Sequence, residues 1–352
     1  MAVLEKAKIY GVDKVGSSDP SALVRTDSAV GLNVTVGASE IHSDFNRCYP
    51  WSDMEEVVDE YGNVFIKIPK FYSKITKNSD GTYKHQLSGA RHDGFTTLFV
   101  DGKGDEIDYV LVGKYEGSGT ADRIYSKSGQ TVLVNLTIVQ YRTGCMANGE
   151  GYQQYDFLID LIIKELWLIE MKTTNCQSIM QGNTQNDAAV DTGRTDAVAT
   201  PSGSEVSNTD AVHACKYRGI ENPFGNVYKW VDGISFNGTK VYVCFDPTAY
   251  KSEDYNPPYF YQGERFGDMG YVTKVEPLGK HPLIQYITDA SDSTGSGTTY
   301  YCDYAPPPYG TVLYAGGVWS DSANAGLWSW YGGYDASFFD SRFGGRLCYK
   351  PL

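Results

Sequence analysis

Glu221-Asn-Pro-Phe-Gly-Asn226-Val-Tyr-Lys-Trp230-Val-Asp-Gly233 is the stretch from which the fold is read. Asn-Pro followed by Phe-Gly-Asn predicts a specific turn that enters a strand. Trp230 would anchor that turn in a core. The Asn226 amide, which both donates and accepts, would satisfy backbone groups buried there.

Upstream of this turn, residues 156–171 predict the one long helix. Phe157, Leu158, Leu161, Ile162, Leu166, Trp167, Ile169 and Met171 make it apolar nearly all round, and Asp156, Asp160 and Lys164 fall four apart on a narrow polar stripe. Such a helix has to be buried against a sheet. Its length and internal charges exclude a membrane span. Residues 64–72 alternate like a strand, Asn78-Ser-Asp-Gly81 predicts a hairpin turn, and residues 109–115 predict another strand. Residues 181–208 and 288–299 are poor in bulky side chains and read as long surface loops. From Val241 onward the chain consists of short Tyr-rich strands and loops, with 15 of the 28 tyrosines in the last 112 residues. Many short strands, one main helix and long loops give an α+β class.

The end of the chain, Ser320-Asp-Ser-Ala-Asn-Ala-Gly-Leu-Trp-Ser-Trp-Tyr-Gly-Gly-Tyr-Asp-Ala-Ser-Phe-Phe-Asp-Ser-Arg-Phe-Gly-Gly, has the vocabulary of a binding surface. Rigid aromatics give contact area at low entropy cost, and Ser, Gly and Asp give adaptable polar contacts. A Gly-rich aromatic segment that completes a core would use the same residues.

A net charge of −13 repels phosphate backbones and anionic membranes, so no nucleic acid and no membrane insertion are expected. The N-terminal residues carry no apolar signal core, so no signal peptide and synthesis in the cytoplasm are expected. Seven widely spaced cysteines without a Cys-x-x-Cys pair read as free buried thiols, and no zinc site or disulfide scaffold is expected. His42, His85, His92, His213 and His281 have neither metal-ligand nor triad spacing, and phosphate-loop, dinucleotide and nucleophile-elbow motifs are absent. Asp101-x-Lys-x-Asp105-x-x-Asp108 departs from a calcium loop in its third-position lysine and missing glycine, and a plain turn is expected. Neither metal nor cofactor is expected.

Asn222-Pro-Phe-Gly-Asn226-Val-Tyr-Lys-Trp230, with Gly345-Arg-Leu-Cys-Tyr349, resembles the C-type-lectin-like fold of formylglycine-generating enzymes, in which the equivalent stretch reads Gly-Asn-Val-Trp-Glu-Trp. Val112-Gly-Lys-Tyr115-Glu116 resembles that family's early strand. The enzyme's paired C-terminal cysteines have no counterpart, since Cys348 has no neighbour closer than Cys302. The chain is more similar to a non-catalytic branch, the variable proteins of diversity-generating retroelements. Gly316-Gly-Val-Trp319, Ala325-Gly-Leu-Trp328-Ser-Trp330 and Gly344-Gly-Arg-Leu347 look like that family's framework, and Ile66-Lys-Ile-Pro-Lys-Phe-Tyr72 resembles the front of such phage structural proteins. In that family adenines of Asn codons are replaced, which cannot yield Lys, Glu, Gln, Met or Trp; residues 320–345 lack the first four, and their only tryptophans, Trp328 and Trp330, fall in the framework.

The resemblance implies an α+β, lectin-like, formylglycine-generating-enzyme-like domain over residues 61–352 behind a small β-rich N-terminal extension, 1–60, with a variable region at 318–352. It implies a ligand-facing set of Asp321, Ser322, Asn324, Ser329, Tyr331, Gly333, Tyr334, Asp335, Phe338, Phe339, Asp340 and Arg342. Asn226, Trp230, Trp319, Trp330, Gly344 and Arg346 would be scaffold. Three or more of Tyr331, Tyr334, Phe338, Phe339 and Arg342 are expected to be over a third exposed. The expected function is receptor binding on a phage or prophage virion tail, without catalysis. The partners would be a protein or glycan of the bacterial surface, other tail proteins and further copies of the chain, although no heptad enforces a trimer. A fixed tail or baseplate protein and a formylglycine-generating-type oxidase are the alternatives.

Overall fold

The computed structural model describes residues 5–306 and 309–351. Two α-helices longer than two turns lie among them: α1, Ile138–Met146, and α2, Phe157–Met171. Helix α1 starts in a capping box, with the Thr137 hydroxyl accepting from Gln140 N–H at 3.2 Å and the Gln140 side chain accepting from Thr137 N–H at 3.0 Å. Helix α2 starts where the Asp156 carboxylate accepts from Ile159 N–H at 2.8 Å, and stops where Lys172 turns left-handed at φ 55°.

Every residue of α2 is buried, including its charged ones. An ionised group taken out of water has to be paired there. Glu170 is paired with Arg218 and accepts from Tyr217 OH at 2.9 Å, Glu165 faces His85 Nδ1 at 2.7 Å, and Asp160 faces Lys164. Asp156 is held by Lys350 at 2.6 Å and by Tyr250 OH at 2.9 Å. The stripe read as polar is therefore an internal seam: Asp160 and Lys164 pair within the helix, while the partners of Asp156 come from distant parts of the chain.

The rest is mainly β-sheet. One sheet runs Val24–Asp27, Ile9–Val15, Tyr83–Ser88, Tyr72–Lys77, with the 78–81 turn joining its last two strands. A second runs Tyr152–Gln154, Leu347–Tyr349, Tyr109–Gly113, Val64–Pro69, Glu55–Val58, so the end of the chain closes a sheet made by its first half. A third joins Val34–Val36 and Glu40–Ser43 to Ser202–Ser204, Cys215–Tyr217 and Ile220–Glu221. The sheet that positions the C-terminal segment runs Trp330–Tyr334, Val312–Ala315, Tyr228–Val231, Phe343–Gly344, its last pairing parallel.

The expected α+β class is thus overturned: the architecture is β-rich. Many of its strands are only three or four residues long, and some, such as Ser118–Thr120 and Ser202–Ser204, consist of small polar residues. These are too short to show a period of two, whereas the one long helix dominates the sequence pattern. Residues 181–208 are also corrected from a surface loop. Asn183, Thr184, Thr192 and Thr195 are buried, and Glu221 accepts from Gly193 N–H and Thr195 N–H, each at 2.8 Å. Small polar side chains fill the interior here because hydrogen bonds satisfy them. The 101–108 segment is a turn, with Asp101 Oδ1 accepting from the backbone N–H groups of Lys103 and Asp105 at 2.8 and 2.9 Å.

Candidate functional site

The 221–233 turn forms the foundation of the site. Asn226 Oδ1 accepts from Asn183 Nδ2 at 2.9 Å and Val190 N–H at 2.8 Å, while its Nδ2 donates to Glu116. Glu116 also accepts from Asn222 Nδ2 at 3.2 Å and is 3.3 Å from Lys229 Nζ. Arg346 donates to four backbone carbonyls: Gly113 at 2.7 Å, Lys114 at 3.0 Å, Glu221 at 2.5 Å and Asn222 at 3.2 Å. It ties the last strand to the turn. Trp230 is buried and donates to Leu136 O at 3.0 Å. A Cβ on Gly344 would meet Leu133 O and Val227 Cγ2 at 3.0 Å, a tight contact that glycine avoids where this strand packs. Half-buried Trp319 receives the Asn186 N–H at its carbonyl, at 2.7 Å, and Trp330 reaches the buried helix α2.

On this foundation sits an aromatic floor. Tyr228 and Tyr314 project beside each other with ring centroids 5.2 Å apart, Phe343 lies 4.9 and 4.8 Å from them, and Tyr331 stacks on Tyr314 at 5.3 Å. Tyr334 continues the stack at 5.5 Å from Tyr314, and Phe338 lies flat on Tyr334 at 3.6 Å, tilted only 7°. Neighbouring residues Asp335, Ser337 and Asp340 make the turn that returns the chain. Asp335 Oδ1 accepts from Ser337 N–H at 2.8 Å, and Asp340 Oδ1 from Arg342 N–H at 2.9 Å.

The sequence-expected residues occupy different depths. Ser322, Asp335 and Phe339 are exposed, while Asp321, Asn324, Gly333, Tyr334, Phe338, Asp340 and Arg342 are half-buried. Ser329 and Tyr331 are buried and do not face solvent. Of the five residues expected to dominate the surface, Phe339 is 59% exposed and the Arg342 side chain 41%, while Tyr334 and Phe338 are half-buried and Tyr331 is buried. The others lost exposure by stacking on one another, which covers apolar area that composition alone leaves unassigned. Asp321, Tyr331, Tyr334, Phe338, Asp340 and Arg342 gather around the floor. Ser322 and Asn324 belong to the adjoining short turn Ser322–Asn324, which Gln177 clamps by donating to Ser322 O and Ala325 O at 2.8 and 2.7 Å.

Electrostatics follow from this packing. Burial raises the Asp321 pKa; its Oδ2 accepts from Tyr228 OH at 2.7 Å, Val318 N–H at 3.2 Å and Tyr331 OH at 3.4 Å. Asp340 is held below its ordinary range by the guanidinium of Arg342, 2.8 Å away, leaving a rim ion pair beside the aromatics. All seven cysteines are buried, and burial pushes the Cys348 thiol up to about 12.

Sequence reasoning missed Tyr228 and Tyr314, which build the floor from outside the C-terminal segment. The signal was present: Tyr228 alternates with the anchoring Trp230, placing Lys229 on the opposite side. Among the described residues, no group of three or more His, Cys, Asp or Glu side chains could hold a metal ion, and no helix is long and apolar enough to cross a membrane.

No protein-family model and no curated protein matches the chain. Among solved structures it is similar to the Major Tropism Determinant U1 Variant, at 9% identity and a TM-score of 0.33, over 98% of this chain and 72% of that one. The Major Tropism Determinant M1 Variant gives 10% identity, a TM-score of 0.33 and the same coverages. The P3c Variant gives 9%, 0.32, and 97% and 72%.

Proposed function

We propose that this chain is a non-catalytic receptor-binding protein of a phage or prophage, presenting a diversified C-terminal surface on a fixed framework. The observation that carries the reading is the division of labour within residues 318–352. Trp330, Gly344 and Arg346 are locked into the interior, while Tyr334, Phe338, Phe339, Asp340 and Arg342 form a solvent-facing rim on a preformed aromatic floor. A rim already held in place loses little entropy when a partner docks, and Tyr, Phe and Arg are side chains enriched where binding energy concentrates. The oxidase alternative is disfavoured because every thiol is buried and Cys348 is held protonated.

Sequencing the DNA around the gene tests this reading. A second copy of the segment encoding about residues 318–352, differing mainly at adenines and lying close to a reverse-transcriptase gene, is expected. Its absence would make a fixed tail or baseplate protein the better account.

A further inference from the structure

We infer that the pocket between residues 175–181, residues 297–303 and the Ser322–Asn324 turn is a second binding site, shaped for one neutral sugar ring or a similar polyol. Asn175, Gln177, Ser178, Gln181, Asp303 and Ala323 line a hollow of about 220 Å³. That is room for about seven water volumes and less than a drug-sized ligand needs.

The lining is unusual in its chemistry. Three primary amides converge there, and their hydrogen-bonding capacity is only partly used. Asn175 Oδ1 accepts from Ser178 N–H at 3.0 Å, leaving its amino group. Gln177 spends its amino group on the two carbonyls of the turn, leaving its oxygen. The Gln181 side chain has no partner among the described residues. Amides both donate and accept, as each hydroxyl of a sugar does, so donors and acceptors can be matched around a ring.

No lysine, arginine or glutamate lines the pocket. Its one carboxyl, Asp303, accepts from Trp328 N–H at 2.7 Å and is driven by burial well above its ordinary pKa. With no basic side chain in its lining, and its one carboxyl buried and already accepting from the backbone, the pocket disfavours phosphates and suits a neutral polyol. The walls are fixed by the Gln177 clamp and by Thr174 Oγ1, which donates to Tyr300 O at 2.5 Å. Ala323, exposed on the Ser322–Asn324 turn, supplies an apolar wall. The inference goes beyond the receptor-binding reading and does not depend on it.

The test is saturation-transfer NMR on the full chain with the methyl glycosides of glucose, galactose and mannose. At least one is expected to bind the unaltered protein at about millimolar concentration. Gln181→Ala should weaken that binding about threefold to tenfold, the effect of losing one or two neutral hydrogen bonds. Ala323→Phe, at an exposed position, should abolish it by filling the pocket, and Phe339→Ala should leave it unchanged. The proposal is overturned if none of the three glycosides shows transfer up to about 10 mM, or if Gln181→Ala and Ala323→Phe both bind as the unaltered protein does. It is also overturned if Phe339→Ala is the variant that loses the signal, since the sugar would then lie on the aromatic rim. None of these outcomes bears on the adenine-directed second copy, so the two proposals fail separately.

Discussion

Trp330 Nε1–H donates to Asp160 Oδ2 at 2.7 Å, joining the C-terminal segment to the middle of helix α2. Lys164 Nζ, the ion-pair partner of Asp160, lies 4.5 Å from the centre of the Trp330 ring, and Tyr286 stacks on that ring at 5.2 Å. The strand carrying the candidate surface is thus fixed from beneath by a buried polar contact rather than by apolar packing alone.

Trp330→Phe keeps an aromatic ring against Tyr286 but removes the donor to a buried carboxylate. The expected loss is about 2–4 kcal/mol, combining a charge-assisted hydrogen bond with a smaller ring. Urea titration checks it; an unchanged midpoint would show that this bond does not anchor the strand.

Leu166 is fully buried at the centre of α2. Leu166→Ala should cost about 2–5 kcal/mol, the range for a large-to-small change where the core cannot collapse. A thermal melt matching that of the unaltered protein would mean that the helix is not the core.

Helix α2 was legible because its apolar residues cover every face over four turns, which only burial explains. The 222–230 turn was legible because Asn, Pro and Gly at fixed offsets have specific backbone preferences. The β-rich class was not, since strands such as Ser202–Ser204 gain their order from partners such as Glu40–Ser43, some 160 residues earlier, and not from local pattern. The candidate site was half legible. The aromatic and Gly/Ser/Asp vocabulary marked the segment, but composition cannot say that Tyr331 turns inward onto Tyr314 while Phe339 turns outward. Tyr228 was marked by its alternation with Trp230, whereas Tyr314 escaped notice because its place beside Tyr228 depends on a strand pairing that the sequence does not display.

The thiols offer an inexpensive check. All seven are buried, and burial raises Cys215 and Cys348 to about 12. A thiol-reactive disulfide reagent at pH 8 should label none of them rapidly in the native protein and all seven in denaturant. Rapid labelling of one cysteine in the native state would expose a reactive thiol and revive the oxidase alternative.

The carboxyl of Asp321 ties stability to pH. Its folded pKa lies above the ordinary 3.8, so in the window just above 3.8 the native state keeps a proton that the unfolded state has released. Stability from this group is fully present below that window and falls as pH rises through the folded pKa. Asp321→Asn keeps an oxygen for Tyr228 OH and Val318 N–H, both of which donate to the same Oδ2. The variant should match the unaltered protein in acid and become relatively more stable as pH rises toward 7. A stability difference that is independent of pH would show that Asp321 is not held protonated by burial.

The rim carries the functional claim, and its energetics differ from those of the floor. Phe339 projects into solvent, and the Arg342 guanidinium pairs with Asp340 while 41% of its side chain is exposed. Half-exposed ion pairs contribute little to folding, and a solvent-facing phenylalanine contributes less than a buried one. The double variant Phe339→Ala, Arg342→Ala should therefore unfold within about 1 kcal/mol of the unaltered protein. Adsorption to host cells, or binding to a receptor purified from them, should nevertheless fall by at least about tenfold, as removal of an aromatic and arginine pair from an interface centre usually requires. The converse substitution, Tyr228→Ala, should cost stability as well as binding, because Tyr228 holds Asp321 and packs on Phe343. Equal adsorption by the double variant, with stability preserved, would remove the aromatic rim from the receptor-binding account.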